Sequence, residues 1–501
     1  MKIALLCLLF IPIIYLAVQQ KKWYLCLFFA FWTVLPEQMA FEIHEKLPNI
    51  SAGRLLVLLL FGFWLWDRWK AKRLQLPKSL LIFLGVNIIV SLVNFRFGFG
   101  EVNRMFILFF ERVLPVIMIA DMVKDREELD IYVDFLILGG SALAIIGIIQ
   151  TVFKYDITTP LHWMETLSSI TLSERMGLTR AFGTYNAISF GCYTALVSIV
   201  VIYRLYNAKA LVRKLLYSLA LALVMSAMIC SLSRSAWLSL VAALFLVVLF
   251  TKGRVIPRSL IAMGMSLVLI LTLMVFQPNL KNAFVETTKS TVNTILDVLP
   301  EGVSSTVVRV FTPSKNSNTT AATGDDETLQ EEDPPATRFE LDDEFGLNGE
   351  DPGYSRNAQW TAVKHMAMEN NLLFGLGYNA LPEGRIYFYF DRWGAVWEPT
   401  TFLDVGLVAL IAEGGLVGAV SYLLLLGYIL VCAFWKRDRK TPMDMYHMIL
   451  YIIPLLLMLN YLAAFIFEDL VWLLTAMFYA YHRISGNEKR DALQLPKLKA
   501  N

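Results

Sequence analysis

The chain has 501 residues, 57% of them hydrophobic and 17% charged, with a mean hydropathy of +0.56 and a formal net charge of +2. A soluble domain is nearer roughly 45–50% apolar with about a quarter of its residues charged, so this composition excludes an ordinary soluble enzyme, and the balanced charge argues against a nucleic-acid partner. The five cysteines (Cys7, Cys26, Cys192, Cys230 and Cys432) lie in apolar blocks without a CxxC pair and His is scarce, which argues against a disulfide framework or a metal site.

Along the chain the apolar residues come in blocks. Met1–Val18 resembles a signal peptide but lacks a small-residue cleavage site and runs into another apolar stretch, so a retained helix is expected. Ile131–Phe153, Leu215–Cys230, Trp237–Phe250, Leu260–Phe276 and Met445–Phe467 come close to or meet the ~20 apolar residues that a bilayer crossing needs. Lipid offers no partner for backbone polar groups, so spans are helical. The expected fold is an all-α, polytopic transmembrane bundle of about 12–13 spans, with the N-terminal orientation open.

Basic clusters at Arg68–Lys78, Arg204–Lys214, Lys252–Arg258, Lys436–Lys440 and beyond His482 mark cytoplasmic ends. Pro36–Ala52, Asn94–Asn103, Lys154–Asn186, Ser231–Arg234 and Gln277–Thr400 then face outside. The expected parts are N-terminal helices over 1–179, a core over 180–435 with an outer loop at 277–400, C-terminal helices over 436–485 and a tail over 486–501. Within the loop, 312–353 is polar, acidic and nearly free of aromatics, the composition of a solvated linker. No EF-hand spacing supports calcium there. Tyr354–Phe374 reads as an amphipathic helix, Gly375-Leu376-Gly377 as a turn, and Ile386–Trp397 as an aromatic run. Gly414-Gly415 splits Thr400–Trp435 into a half-helix, Thr401–Glu413, and a span; Gly414 and Gly418 have the spacing of a close helix contact.

Charges at the ends of apolar blocks are costly, and each has two readings. Arg234, in Ser231-Leu-Ser-Arg-Ser-Ala-Trp237, either snorkels to headgroups or binds an anion such as a lipid pyrophosphate. Arg180, in Leu178-Thr-Arg-Ala-Phe-Gly-Thr-Tyr-Asn186, either pairs locally with Glu165 or Glu174 or does the same. Arg356 is a surface charge or a third member. Asp404 is a helix N-terminal acid or a general base, and Glu413, nine residues on, falls on roughly the opposite helical side. The aromatics, Trp393 and Trp397 among them, anchor the loop at the interface or stack on sugars, with Tyr378 and Asn379 as weaker sugar contacts. Glu111-Arg112, inside Met105–Met122, reads as structural.

The order Arg180-Ala-Phe-Gly-Thr-Tyr-Asn186, Ser-Leu-Ser-Arg234-Ser-Ala-Trp, then a long loop with Arg356…Trp360, Asn371-Leu-Leu-Phe-Gly-Leu-Gly-Tyr378 and Ala412-Glu-Gly-Gly-Leu-Val-Gly418, resembles the O-antigen ligase and polymerase superfamily. The resemblance spans roughly Arg180 to Leu430. It implies a GT-C-like bacterial cytoplasmic-membrane enzyme, acting outside on sugars carried by undecaprenyl pyrophosphate. Its partners are a lipid-linked oligosaccharide donor, a glycan acceptor, membrane lipids, and a possible chain-length regulator or flippase. Arg180, Arg234 and Arg356 would hold the pyrophosphate. Ligases of the family have a His ahead of the Gly-x-x-Gly turn, and counting back from Gly415-x-x-Gly418 lands on Asp404-Val405. That departure is more like the polymerase branch, including Gram-positive polymerases such as those of teichuronic acid. The implied chemistry needs no metal or cofactor: arginines stabilise the leaving pyrophosphate, Asp404 activates a hydroxyl, and the anomeric carbon inverts. Ligation to a lipid, wall or protein acceptor is the alternative. A lipid-linked sugar transporter is the rival from another class, though repeated halves with midplane charges are not evident.

Overall fold

The computed structural model describes residues 21–36, 49–71, 77–161, 178–185, 187–250, 256–298, 371–378, 386–390, 396–400, 406–435 and 468–498, with short pieces at 11, 14, 15, 19, 39–41, 163, 174, 175, 363 and 380. The helices are α1 (Lys21–Phe31), α2 (Ala52–Ala71), α3 (Lys78–Val93), α4 (Phe99–Leu108), α5 (Leu114–Met122), α6 (Arg126–Phe153), α7 (Ala187–Asn207), α8 (Leu211–Cys230), α9 (Arg234–Phe250), α10 (Ile256–Phe276), α11 (Pro278–Val298), α12 (Gly406–Trp435) and α13 (Glu468–Leu498). Among the described residues, six helices are long and apolar enough to cross a membrane, and Arg234–Leu249 is a shorter apolar helix. This is the expected all-α, multi-pass architecture.

Local chemistry sets the helix boundaries. Asp125 caps α6, accepting the Glu128 N–H at 2.8 Å, with Glu127 and Glu128 in the dipole-favoured first turn. Between α4 and α5 the chain keeps turning through a π-helical stretch, Phe109–Val113, in which the Leu114 N–H reaches Phe109 O, five residues back. Pro115 explains the wide turn: it has no N–H for the Glu111 carbonyl, and its ring would clash with that carbonyl in an α-helix. Glu111 pairs with Arg54 of α2, so this carboxylate has a structural partner, as its sequence position suggested.

α7 is the centre of the bundle. It is buried along nearly its whole length and packs against α6, α8, α9 and α10. At its C-terminal end Arg204, 9% exposed, donates to both Asp134 oxygens at 2.7 Å and lies 2.9 Å from Asp130. Tyr217 adds a 2.7 Å bond to Asp134. At the same end, Arg68 pairs with Asp121, which also accepts from Trp64 at 2.8 Å, while Arg483 donates to the Asp121 carbonyl at 2.8 Å. Arg68, Arg204 and the α13 tail all belong to segments assigned to the cytoplasmic side by charge, and the contacts gather them at one end of the bundle.

Three short antiparallel hairpins complete the description: β1–β2 (Ala40–Phe41, Ile50–Ser51), β3–β4 (Glu174–Arg175, Leu178–Thr179) and β5–β6 (Ile386–Phe390, Val396–Thr400). The last gives the aromatic run, read as an interface anchor or a sugar-stacking surface, its backbone form. Ile-Tyr-Phe-Tyr-Phe is a strand-forming sequence, and it pairs in register from Ile386 with Thr400 to Phe390 with Val396.

Candidate functional site

At the end of the bundle opposite Arg204, two polar clusters are built. The first joins the segment after β4 to the turn between α8 and α9. Arg180 Nε donates to the Ser231 carbonyl at 2.8 Å, and the Ala181 N–H donates to the Cys230 carbonyl at 3.0 Å. Arg180 is therefore held three residues from Arg234, the exposed first residue of α9. Leu232 occupies a left-handed conformation, φ 51°, between Ser231 and Ser233. For a non-glycine residue that costs about 1–2 kcal/mol, and its fully buried side chain offsets the cost. Ser231 Oγ donates to Met228 O at 2.6 Å and accepts the Ser233 N–H at 3.3 Å, so the turn is tied within itself. Gly191 of α7 lets this turn sit close: a Cβ there would lie 2.6 Å from Ser231 Oγ.

Gln150 of α6, fully buried, fixes the other side of the first cluster. Its Oε1 accepts the Gly183 N–H at 2.8 Å and its Nε2 donates to the Gly183 carbonyl at 2.8 Å and to Asp156 at 3.0 Å. Tyr185 donates to Thr33 O beyond α1, and α11 packs against β4 and α9. Sequence reasoning passed over Gln150. The available signal was an amide inside an apolar block, which must find partners away from water.

The α9 N-terminus adds to this cluster's field. Helix N-termini carry roughly half a positive charge and point orphan N–H groups outward. A cation placed there gains nothing from the helix itself. Arg234 and the α9 N-terminus together favour an anion, with Arg180 alongside.

The second cluster surrounds a break in α12. Gly415 has φ 63° and ψ −168°, which divides the helix where the Gly-Gly pair predicted. The turn 371–378 fills the break: Leu376 N–H donates to Ala412 O at 2.8 Å, Gly377 N–H to Glu413 O at 2.9 Å, and Leu416 and Val417 N–H to Leu372 and Leu373 O, both at 3.0 Å. Tyr378 is 8% exposed, donates its hydroxyl to Asn87 of α3, and lies over Gly414 and Gly418. The two small residues thus receive a tyrosine rather than another helix. Burial, with the negative charges of Glu413 and Glu101 adding to it, pushes the Tyr378 phenol above its ordinary range, so it stays a donor. The sequence reading made it a weak sugar contact; in the structure its hydroxyl bonds Asn87 and lies beside Gly414 and Gly418 at the helix break.

Arg356, Asn379, Trp393 and Asp404 lie outside the described residues, and for Trp397 only the backbone, in β6, is described. Among the described residues, no group of three or more His, Cys, Asp or Glu comes together that could hold a metal ion.

Residues 218–423 match the family model described as O-antigen ligase. No curated protein and no solved structure gave a significant match to the chain. The matched stretch runs from within α8 through the Arg234 turn to the broken helix α12, while Arg180, Gln150, Asn87 and Glu101 lie ahead of it. On that segment, less than half of the chain, the sequence is similar to the O-antigen ligase family.

Proposed function

We propose that this protein polymerises undecaprenyl-pyrophosphate-linked oligosaccharide repeat units of a cell-surface polysaccharide, on the outer face of the cytoplasmic membrane. The observation that carries this reading is the pinning of Arg180 to the Ser231 carbonyl, which sets two arginines beside one helix N-terminus. That arrangement suits a pyrophosphate, whose oxygens accept from planar guanidinium forks and from backbone N–H groups alike. The opposite end of the bundle carries the clusters expected on the cytoplasmic side, which supports an outward-facing site.

The reaction follows from the substrate. A hydroxyl on the acceptor glycan attacks the anomeric carbon of the donor, and the bond from that carbon to the pyrophosphate oxygen breaks. Undecaprenyl pyrophosphate leaves with the electron pair, and the hydroxyl proton passes to a base, the role we assign to Asp404. Arg180 and Arg234 stabilise the charge that grows on the leaving group. Attack opposite the leaving group inverts the anomeric carbon.

The test is polysaccharide length in the native host, comparing wild type with a deletion and with Arg234→Ala. Both variants are expected to leave single repeat units on the lipid carrier. Full-length polymer that stays on the carrier and never reaches its acceptor would instead identify a ligase.

A further inference from the structure

The second cluster has a feature that pyrophosphate binding does not explain. Glu101, in the first turn of α4, is fully buried, and its carboxylate accepts the Tyr378 N–H at 2.7 Å. Burying a carboxylate is costly unless it is held by donors, so its placement here is specific. Gly377, at φ 95°, presses directly on the same carboxylate, where a Cβ would overlap its oxygens. One neighbour repeats the grip, since Asn94 Nδ2 donates to Phe374 O at 2.6 Å, while Ser91 Oγ ties α3 to α4 by donating to the Glu101 backbone carbonyl at 3.1 Å. Asn87, which accepts from Tyr378, itself donates to Phe83 O at 2.7 Å and reaches Ser421 of α12 at 3.4 Å.

These contacts close a loop. The bonds from Leu376 and Gly377 to Ala412 and Glu413 bring the chain before residue 378 against the chain just before the α12 break. The stretch between them holds the β5–β6 hairpin and, in sequence, Asp404. Its base is fastened to itself by backbone bonds and to α3 and α4 by Asn87, Asn94 and Glu101. Of these grips, only that of Glu101 joins a charged side chain to a backbone N–H of the loop, and charge-assisted bonds are about twice as strong as neutral ones.

We propose that Glu101 is a positioning residue: through the Tyr378 amide it fixes the base of the 378–412 loop against the membrane-spanning helices, and so sets the loop for the transfer reaction. This rests on the proposed function for its kinetic consequence, but not for its structural one. Donor binding is assigned to Arg180 and Arg234, so loss of the Glu101 grip acts on turnover rather than on donor affinity.

Hydrogen exchange on purified full-length protein, combined with transfer kinetics, tests this. In Glu101→Ala, amides in 371–380 are expected to exchange about 10- to 100-fold faster, the effect of losing one hydrogen bond to a charged group, while α7 and α8 are unchanged. The kcat falls at least 10-fold with the donor KM within twofold. Glu101→Gln keeps a neutral carbonyl acceptor and lies about midway, on a logarithmic scale, between wild type and Glu101→Ala in both effects, which a merely folded-or-unfolded difference would not reproduce. Unchanged exchange at 371–380 in Glu101→Ala, or a Glu101→Gln variant as impaired as the alanine, overturns the proposal. If the wild type transfers no sugar, the functional reading fails while the exchange result still decides whether Glu101 holds the loop.

Discussion

The two ends of the helix bundle use arginine in opposite ways. At one end Arg204 sits in the last turn of α7, where the dipole favours a cation, and is saturated by Asp130 and Asp134. At the other, Arg234 begins α9, where the dipole disfavours it, and is exposed beside an Arg180 held on a backbone carbonyl. The same side chain is a structural tie in the first setting and, in the proposed function, an anion-binding group in the second. Helix polarity, burial and the chemistry of the partner all separate the two settings.

This contrast predicts opposite responses to the same substitution. Arg234→Ala should lower glycosyl transfer by about 10²–10³-fold, the range for removing one donor that stabilises a developing anion. Its thermal stability in detergent should hold or rise slightly, by about 0.3–1 kcal/mol at most, because a cation leaves a helix N-terminus. Arg204→Ala should do the reverse. Losing the shared partner of Asp130 and Asp134 costs on the order of 3 kcal/mol, tempered because both acids are about a third exposed. It should appear as a lower melting temperature, with the specific activity of the surviving folded protein near normal.

Between these extremes, Gln150→Leu removes the amide that bonds Gly183 from both sides. A loss of roughly 2 kcal/mol in stability is expected from the unpaired backbone groups, together with weaker donor binding as Arg180 shifts; a raised donor KM is the readout. The smallest effect is at the α6 cap, where Asp125→Ala should cost about 1 kcal/mol and leave transfer unchanged. If Asp125→Ala impaired transfer as strongly as Arg234→Ala, the division between the two ends would collapse.

Much of this frame was legible in the sequence, because blocks of apolar residues and the Gly414-Gly415 pair act locally. The break at Gly415 and the Gly375–Gly377 turn appear where those residues predicted. The pairing of Arg180 with the Ser231 turn was not legible: the bond joins residues 51 apart in sequence and depends on how α7 and α8 pack. Arg204 was read only as a topology marker within a basic cluster, although Asp130 and Asp134, one helical turn apart at the start of an apolar block, called for a cation. The Glu101 grip was hidden for a similar reason, since it links α4 to a turn 277 residues later. Aromatic residues suit both an interfacial anchor and a strand, so composition alone did not disclose the β5–β6 hairpin.

The most direct measurement is to give purified protein in detergent a lipid-linked oligosaccharide and resolve the products by length, for wild type and Arg234→Ala. The account predicts a ladder of repeat-unit multiples with release of undecaprenyl pyrophosphate for the wild type, and its near-complete loss in Arg234→Ala at unchanged thermal stability. A wild-type protein that yields no ladder, or an Arg234→Ala ladder equal to it, would contradict the account.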